Sequence, residues 1–258
     1  MKLQHRFDGP ADGPVIALPS SLGTAIALWD ANVPAWSETF RVLRYDQRGH
    51  GGSEVPPGPY SIEDLGRDFV SLLDELGIDR VSFCGISLGG ATGMWLAAHA
   101  PERTDGLVLA CTSSRFGDPG PWLERAALVR SSGVEPIADT VIARWFTARF
   151  ARERREVVSR FRNLLASTPP EGYAGGCEAA AGWDFPDRLA QIRAPTLVVA
   201  GADDSATPLE HARLIADRIQ DAKLVVLPGA AHLANVEQAD AFSRVVAEHL
   251  AAAMLEVA

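Results

Sequence analysis

Two hydrophobic periods alternate along this chain. Short, nearly unbroken apolar runs stand at Pro14–Pro19, Phe40–Asp46, Val81–Gly85, Gly106–Thr112, Pro195–Gly201 and Lys223–Gly229. Their length and their closing Gly, Pro or Asp residues predict buried β-strands. Between them, apolar positions recur at a spacing near 3.6 in Ser61–Leu76, Leu88–Ala100, Leu209–Ile219 and Val236–Leu250, which predicts amphipathic helices. Pro and Gly content marks Val55–Tyr60 and Ser167–Gly176 as loops. Strands that are apolar throughout and alternate with helices predict an α/β fold, a mostly parallel sheet covered by helices on both faces.

One region interrupts this alternation. From Arg115 to Ala180 the pattern holds no strand, and positions such as Val134, Ile137, Val141, Trp145 and Phe146 follow a helical period. A helical excursion between two strands predicts a cap over one end of the sheet. The expected organisation is therefore a core of residues 1–114 and 181–258 with a helical cap inserted at 115–180. Between Arg115 and Arg162 ten arginines stand against six acids, a balance of +4, whereas the whole chain carries −9. Pairs four apart, Arg149 with Glu153 and Arg152 with Glu156, suit solvated helix surface. A locally positive lid on an acidic protein also suits a small anionic substrate.

Composition narrows the class further. The chain has 258 residues, 47% hydrophobic and 22% charged, ordinary values for a globular domain. The acidic balance argues against nucleic acid as a partner. No apolar run approaches the roughly 18–20 residues that span a bilayer, and the N-terminus lacks the apolar segment of a secretory signal. Cys84, Cys111 and Cys177 are too scattered for a zinc pattern or a disulfide framework and read as reduced thiols of a cytoplasmic protein.

The chemistry concentrates after three of the predicted strands. In VSFCGISLGG, Gly85 and Gly89 flank Ser87 where a strand must reverse into a helix, a crowded turn that pushes the central side chain clear of the backbone. A serine needs a base, and the base needs a carboxylate to hold its tautomer. The loop GADDSATP after Pro195–Gly201 offers Asp203 and Asp204, one of which could instead cap the helix beginning near Pro208. Of six histidines, His99 and His249 fall in helical patterns and His50 in the glycine-rich turn RGHGGS. His232 alone directly follows a strand and a small-residue turn, PGAAH, which makes it the expected base.

The elbow GISLGG, the acid loop GADD and the histidine loop GAAHLANVEQ resemble the α/β-hydrolase superfamily over nearly the whole chain. More narrowly, SLGTAIALWD, RVLRYDQRGHGGS, GPYSIEDL, FCGISLGG and RWFT look like 3-oxoadipate enol-lactonases, enzymes of the β-ketoadipate branch of aromatic catabolism. The resemblance implies Ser87, Asp204 and His232 as the catalytic residues, the spacing of the family selecting Asp204 over Asp203. It implies an oxyanion hole of the Leu22 and Leu88 amides, with Ser20 and Ser21 in place of the His-Gly pair of many relatives. It also implies no metal and no organic cofactor. Relatives carry two strands before PVIALP, whereas LQHRF leaves room for one, so seven strands are expected. The implied reaction is opening of a small anionic enol-lactone, with a carboxylesterase or other lactonase as the near alternative and a non-catalytic receptor as the distant one. Arg144, held among aromatic residues in ARWFTARF, is the candidate for the substrate's carboxylate, and Trp29 and Trp145 for the apolar walls.

Overall fold

The computed structural model describes residues 1–257. Seven strands form one sheet: β1 (His5–Asp8), β2 (Val15–Pro19), β3 (Arg41–Tyr45), β4 (Val81–Ile86), β5 (Thr104–Ala110), β6 (Thr196–Gly201) and β7 (Lys223–Leu227). Their spatial order is β1-β3-β2-β4-β5-β6-β7. Only β1 runs antiparallel, against β3, and the other neighbours are parallel. Every residue of the central β4 and β6 is buried, whereas the edge strand β7 leaves Lys223 and Val226 exposed. The unbroken apolar runs thus mark strands covered on both faces.

Helices α1 (Val33–Trp36), α2 (Ile62–Leu76), α3 (Leu88–His99), α9 (Leu209–Arg218), α10 (Ala234–Glu237) and α11 (Ala239–Val257) belong to the sheet's flanks. Two hydrophobic clusters, one on each face, sandwich the strands. Local signals set the helix ends. Ser61 and Asp64 close a reciprocal capping box at the start of α2, and Gly77, at φ 64°, ends it in the left-handed conformation. The helix α3 is buried almost all round, which its Gly and Ala content permits.

Between β5 and β6 the chain leaves the sheet for α4 (Pro119–Ser132), α5 (Ala138–Trp145), α6 (Ala148–Glu153), α7 (Arg155–Ala166) and α8 (Pro170–Ala181). An isolated bridge and an ion pair between Arg115 and Asp184 join the two ends of this excursion. No helix among the described residues is long and apolar enough to cross a membrane.

One expected element is overturned. The segment Ser167–Gly176, expected as a loop, turns into α8 at Pro170. Pro170 is compatible with the first helical turn, and the glycines serve packing. A Cβ on Gly172 would stand 1.9 Å from the Gly49 carbonyl oxygen, and Gly49 itself holds φ 76°. The absent side chains let α8 lie directly on the Gln47–Gly51 turn. Gly172→Ala should therefore lower stability by about 1–3 kcal/mol, since the clash is with backbone and exceeds the helix-propensity gain. Thermal unfolding should record this as a fall of several degrees in Tm; an unchanged Tm would contradict the close approach.

Candidate active site

The turn from β4 into α3 is tight. Ser87 has φ 54° and ψ −116°, a backbone conformation that costs a non-glycine residue about 1–3 kcal/mol. Three contacts enforce it. A Cβ on Gly85 would meet the Gly89 carbonyl oxygen at 2.3 Å, so strand and helix approach closer than any side chain allows. The Ser87 amide donates to the Ala110 carbonyl at 3.0 Å, and the Thr112 hydroxyl donates to the Ser87 carbonyl at 2.6 Å. Both backbone groups of Ser87 are thus occupied by β5 and the residues that follow it, and its side chain is left to the cavity beyond.

The loops after β6 and β7 meet beside it. His232 Nδ1 stands 2.9 Å from Asp204 Oδ2. Asp204 Oδ2 also accepts the Thr207 hydroxyl at 2.7 Å, while Oδ1 accepts the amides of Ala206 and Thr207 at 2.7 and 3.0 Å. Burial pushes the Asp204 carboxyl up, but His232 and the Thr207 hydroxyl and amide outweigh it and hold it down at about 2. Such a carboxylate stays ionised and accepts the Nδ1 proton, which leaves Nε2 as the basic nitrogen. The adjacent Asp203 is exposed and does not join this network. Asp204 therefore fills both roles the sequence divided between the two aspartates: it orders the turn before α9 and it faces the histidine.

A cavity of about 70 Å³ joins these parts. Ser87, His232, Leu22, Arg144 and Trp145 all line it, together with Phe116, Trp122, Arg125 and Tyr173. Leu88 opens α3 directly after Ser87, and the first amides of a helix lack intrahelical acceptors. The Leu22 amide lies in the turn after β2 and has no acceptor among the described residues. Trp29 is a correction. It is fully buried, donates Nε1–H to the Pro19 carbonyl at 2.7 Å and packs with Trp36 and Phe242, away from the cavity. It lies in the turn Ile26–Trp29, and its bond to Pro19 ties that turn to the end of β2. Trp122 takes the place at the wall that Trp29 was expected to fill.

Four further residues were not among those expected from the sequence. Thr207 was legible in principle, since a hydroxyl three residues after an aspartate is a common turn partner. Glu237 links elements far apart in sequence: Oε1 accepts the Thr147 amide and hydroxyl at 2.7 and 2.8 Å, and Oε2 accepts the Ala231 amide. With the Leu233 amide donating to the Trp145 carbonyl at 3.0 Å, it ties the end of α5 to the histidine loop. Arg125 and Trp122 gave no signal, because α4 carries little amphipathic period.

A serine on a strained strand-to-helix turn, sharing a cavity with a carboxylate-backed imidazole at the C-terminal edge of a parallel sheet, defines the α/β-hydrolase class. The alpha/beta hydrolase fold family model matches residues 14–239, and the chain belongs to that family. It is 42% identical over 95% of its length to 3-oxoadipate enol-lactonase 2 of Acinetobacter baylyi, of which 91% is covered. The crystal structure of the enol-lactonase from Burkholderia xenovorans LB400 superposes with a TM-score of 0.94 at 42% identity, covering 96% of each chain. A thermophilic esterase from Thermogutta terrifontis, solved with malate bound, gives a TM-score of 0.93 at 29% identity over 97% of this chain and 93% of its own.

His50, the histidine in the glycine-rich turn, is buried close to the Leu22 and Leu88 side chains, all three converging on Gly176. Its Nδ1 donates to the Arg48 carbonyl at 3.0 Å, and burial lowers its pKa from 6.5 to about 4. A neutral buried histidine binds fewer protons folded than unfolded, so stability falls as pH drops from about 6.5 towards 4. Between pH 7 and pH 5 this costs roughly 2 kcal/mol. Urea unfolding of wild type and His50→Gln at both pH values should show the variant losing less on acidification; an equal loss would contradict the buried neutral state.

Proposed function

We propose that the chain is a serine hydrolase that opens 3-oxoadipate enol-lactone to 3-oxoadipate. The observation that carries the reading is the strained Ser87 in one cavity with an Asp204-backed His232. In this mechanism Ser87 Oγ attacks the lactone carbonyl while His232 Nε2 takes its proton, Asp204 holding Nδ1–H and stabilising the imidazolium. The Leu22 and Leu88 amides receive the oxyanion, each worth about 3 kcal/mol by the usual scale for such donors. Collapse breaks the ring C–O bond, and His232 returns the proton to the departing enol, which tautomerises to the ketone. The acyl chain stays on Ser87 until water, deprotonated by His232, releases the 3-oxo diacid.

Residues 115–180 act as the cap of this site. Trp145 supplies an apolar wall, and Arg144, at the mouth, draws in the substrate's carboxylate. The buried free thiols of Cys84, Cys111 and Cys177 suit a cytoplasmic enzyme of aromatic catabolism. A second reading, a carboxylesterase with the same machinery, is favoured by the esterase likeness, and substrate preference separates the two.

The direct test is a spectrophotometric assay with freshly generated 3-oxoadipate enol-lactone. Turnover should exceed that on simple neutral esters by orders of magnitude and vanish in Ser87→Ala with circular dichroism unchanged. Faster turnover of simple esters would leave the esterase reading, and Ser87→Ala activity within tenfold of wild type would remove the nucleophile.

The two aspartates make a separate test. Asp204→Asn should lower kcat by about 10⁴, because an amide favours the wrong imidazole tautomer. Asp203→Asn should stay within threefold of wild type. The opposite ranking would show that the wrong carboxylate had been chosen.

A further inference from the structure

The cap arginines sort into two groups by what holds them. Arg115, Arg130, Arg149, Arg160 and Arg162 each have a carboxylate within 4.0 Å: Asp184, Glu171 with Glu178, Glu153, Asp30, and Glu135 with Asp139. They are structural. Of the rest, Arg125 on α4 and Arg144 on α5 line the cavity that holds Ser87 and His232. Arg144 is exposed, and its Nη2 donates to the Ser205 carbonyl at 2.9 Å, which ties the cap to the acid loop.

Arg125 differs on each count. It is half-buried, and its guanidinium carbon lies 5.0 Å from the centre of the Trp122 ring. Among the described residues no carboxylate lies within salt-bridge distance of it. Beside it stands the buried Tyr173. Burial pushes the Tyr173 hydroxyl up and the Cys177 thiol adds to this, while the Arg125 and Arg144 guanidiniums pull the other way. The hydroxyl is therefore un-ionised and cannot serve as counter-ion. A guanidinium partly withdrawn from water with no anion opposite it lacks the partner that ordinarily offsets its desolvation. With the Trp122 face on one side and one N–H taken by the Tyr173 hydroxyl, the guanidinium keeps further N–H groups for a planar, two-point contact with a carboxylate.

We infer that Arg125 is the residue that directly grips the free carboxylate of the substrate, with Trp122 holding the guanidinium flat. Arg144 then contributes attraction at the mouth and the hold on the acid loop. This assignment rests on the reading of the substrate as an anionic lactone. It adds the specificity-determining contact to it.

The experiment compares the anionic enol-lactone with the same lactone whose carboxylate is capped as the primary amide. Steady-state kinetics are measured on wild type, Arg125→Met, Arg125→Lys and Arg144→Met. Wild type should prefer the anion. Arg125→Met should raise its KM by about 30-fold or more, the usual cost of removing one partner of a buried charge pair, with kcat and the amide substrate changed less than threefold. Arg125→Lys should recover part of the loss, since an ammonium keeps the charge and forfeits the two-point geometry. Arg144→Met should raise the same KM by less than tenfold, and the effect should shrink with added salt. If wild type prefers the anion but Arg125→Met and Arg125→Lys leave its KM unchanged, or impair both substrates equally, or Arg144→Met carries the larger effect, the Arg125 assignment is wrong and the lactonase reading stands. If wild type shows no preference for the anion, the anionic-lactone reading itself fails and Arg125 falls with it.

Discussion

The backbone at Ser87 is held at φ 54° by the close approach of β4 to α3, and the site is assembled around that constraint. Glycine at 85 lets strand and helix touch, and the Ala110 and Thr112 contacts occupy the amide and carbonyl of Ser87. The strain, about 1–3 kcal/mol, is small against the burial of the surrounding β4, β5 and α3 residues. A relaxed turn would return the serine side chain towards the backbone and move the Leu88 amide with it. One conformation therefore sets both the serine and one expected oxyanion donor.

The second constraint is electrostatic and comes from loops that the sheet brings together. Asp204 keeps its charge in a buried setting because four donors converge on it: two amides, the Thr207 hydroxyl and His232. Those donors belong to the turn after β6 and to the loop after β7, which are adjacent because β6 and β7 pair in register from Leu197 to Gly201. The helical excursion between β5 and β6 is tied to the same loops through Glu237, through the Trp145 carbonyl and through Arg144. The end of α5 and the loop that carries His232 are thus held to one another by these hydrogen bonds.

Much of this was legible in the sequence, for identifiable reasons. The six apolar runs are strands because central parallel strands are buried on both faces, and the sparse N-terminal segment gives a single edge strand, His5–Asp8. The strand-end turns that carry Ser87 and His232 were legible because glycines and small residues crowd them. Other features depend on distant contacts. Pro and Gly at 167–176 read as a loop, yet they form a helix whose bare face fits the Gln47–Gly51 turn. Trp29 was expected at the cavity wall, but β2 and α11 enclose it, and no local pattern distinguishes a core tryptophan from a wall tryptophan. Arg125 differs from the other nine arginines through distant contacts, the carboxylates that hold five of them and its own place on the cavity wall.

An activated Ser87 nucleophile should be open to covalent trapping. The protein is treated with a fluorophosphonate, and the adduct is located by intact-mass and peptide mass spectrometry. One phosphonyl group per chain is expected, on Ser87, with the rate of labelling falling by orders of magnitude in His232→Ala. Labelling at another serine, or no labelling of a folded chain, would contradict it.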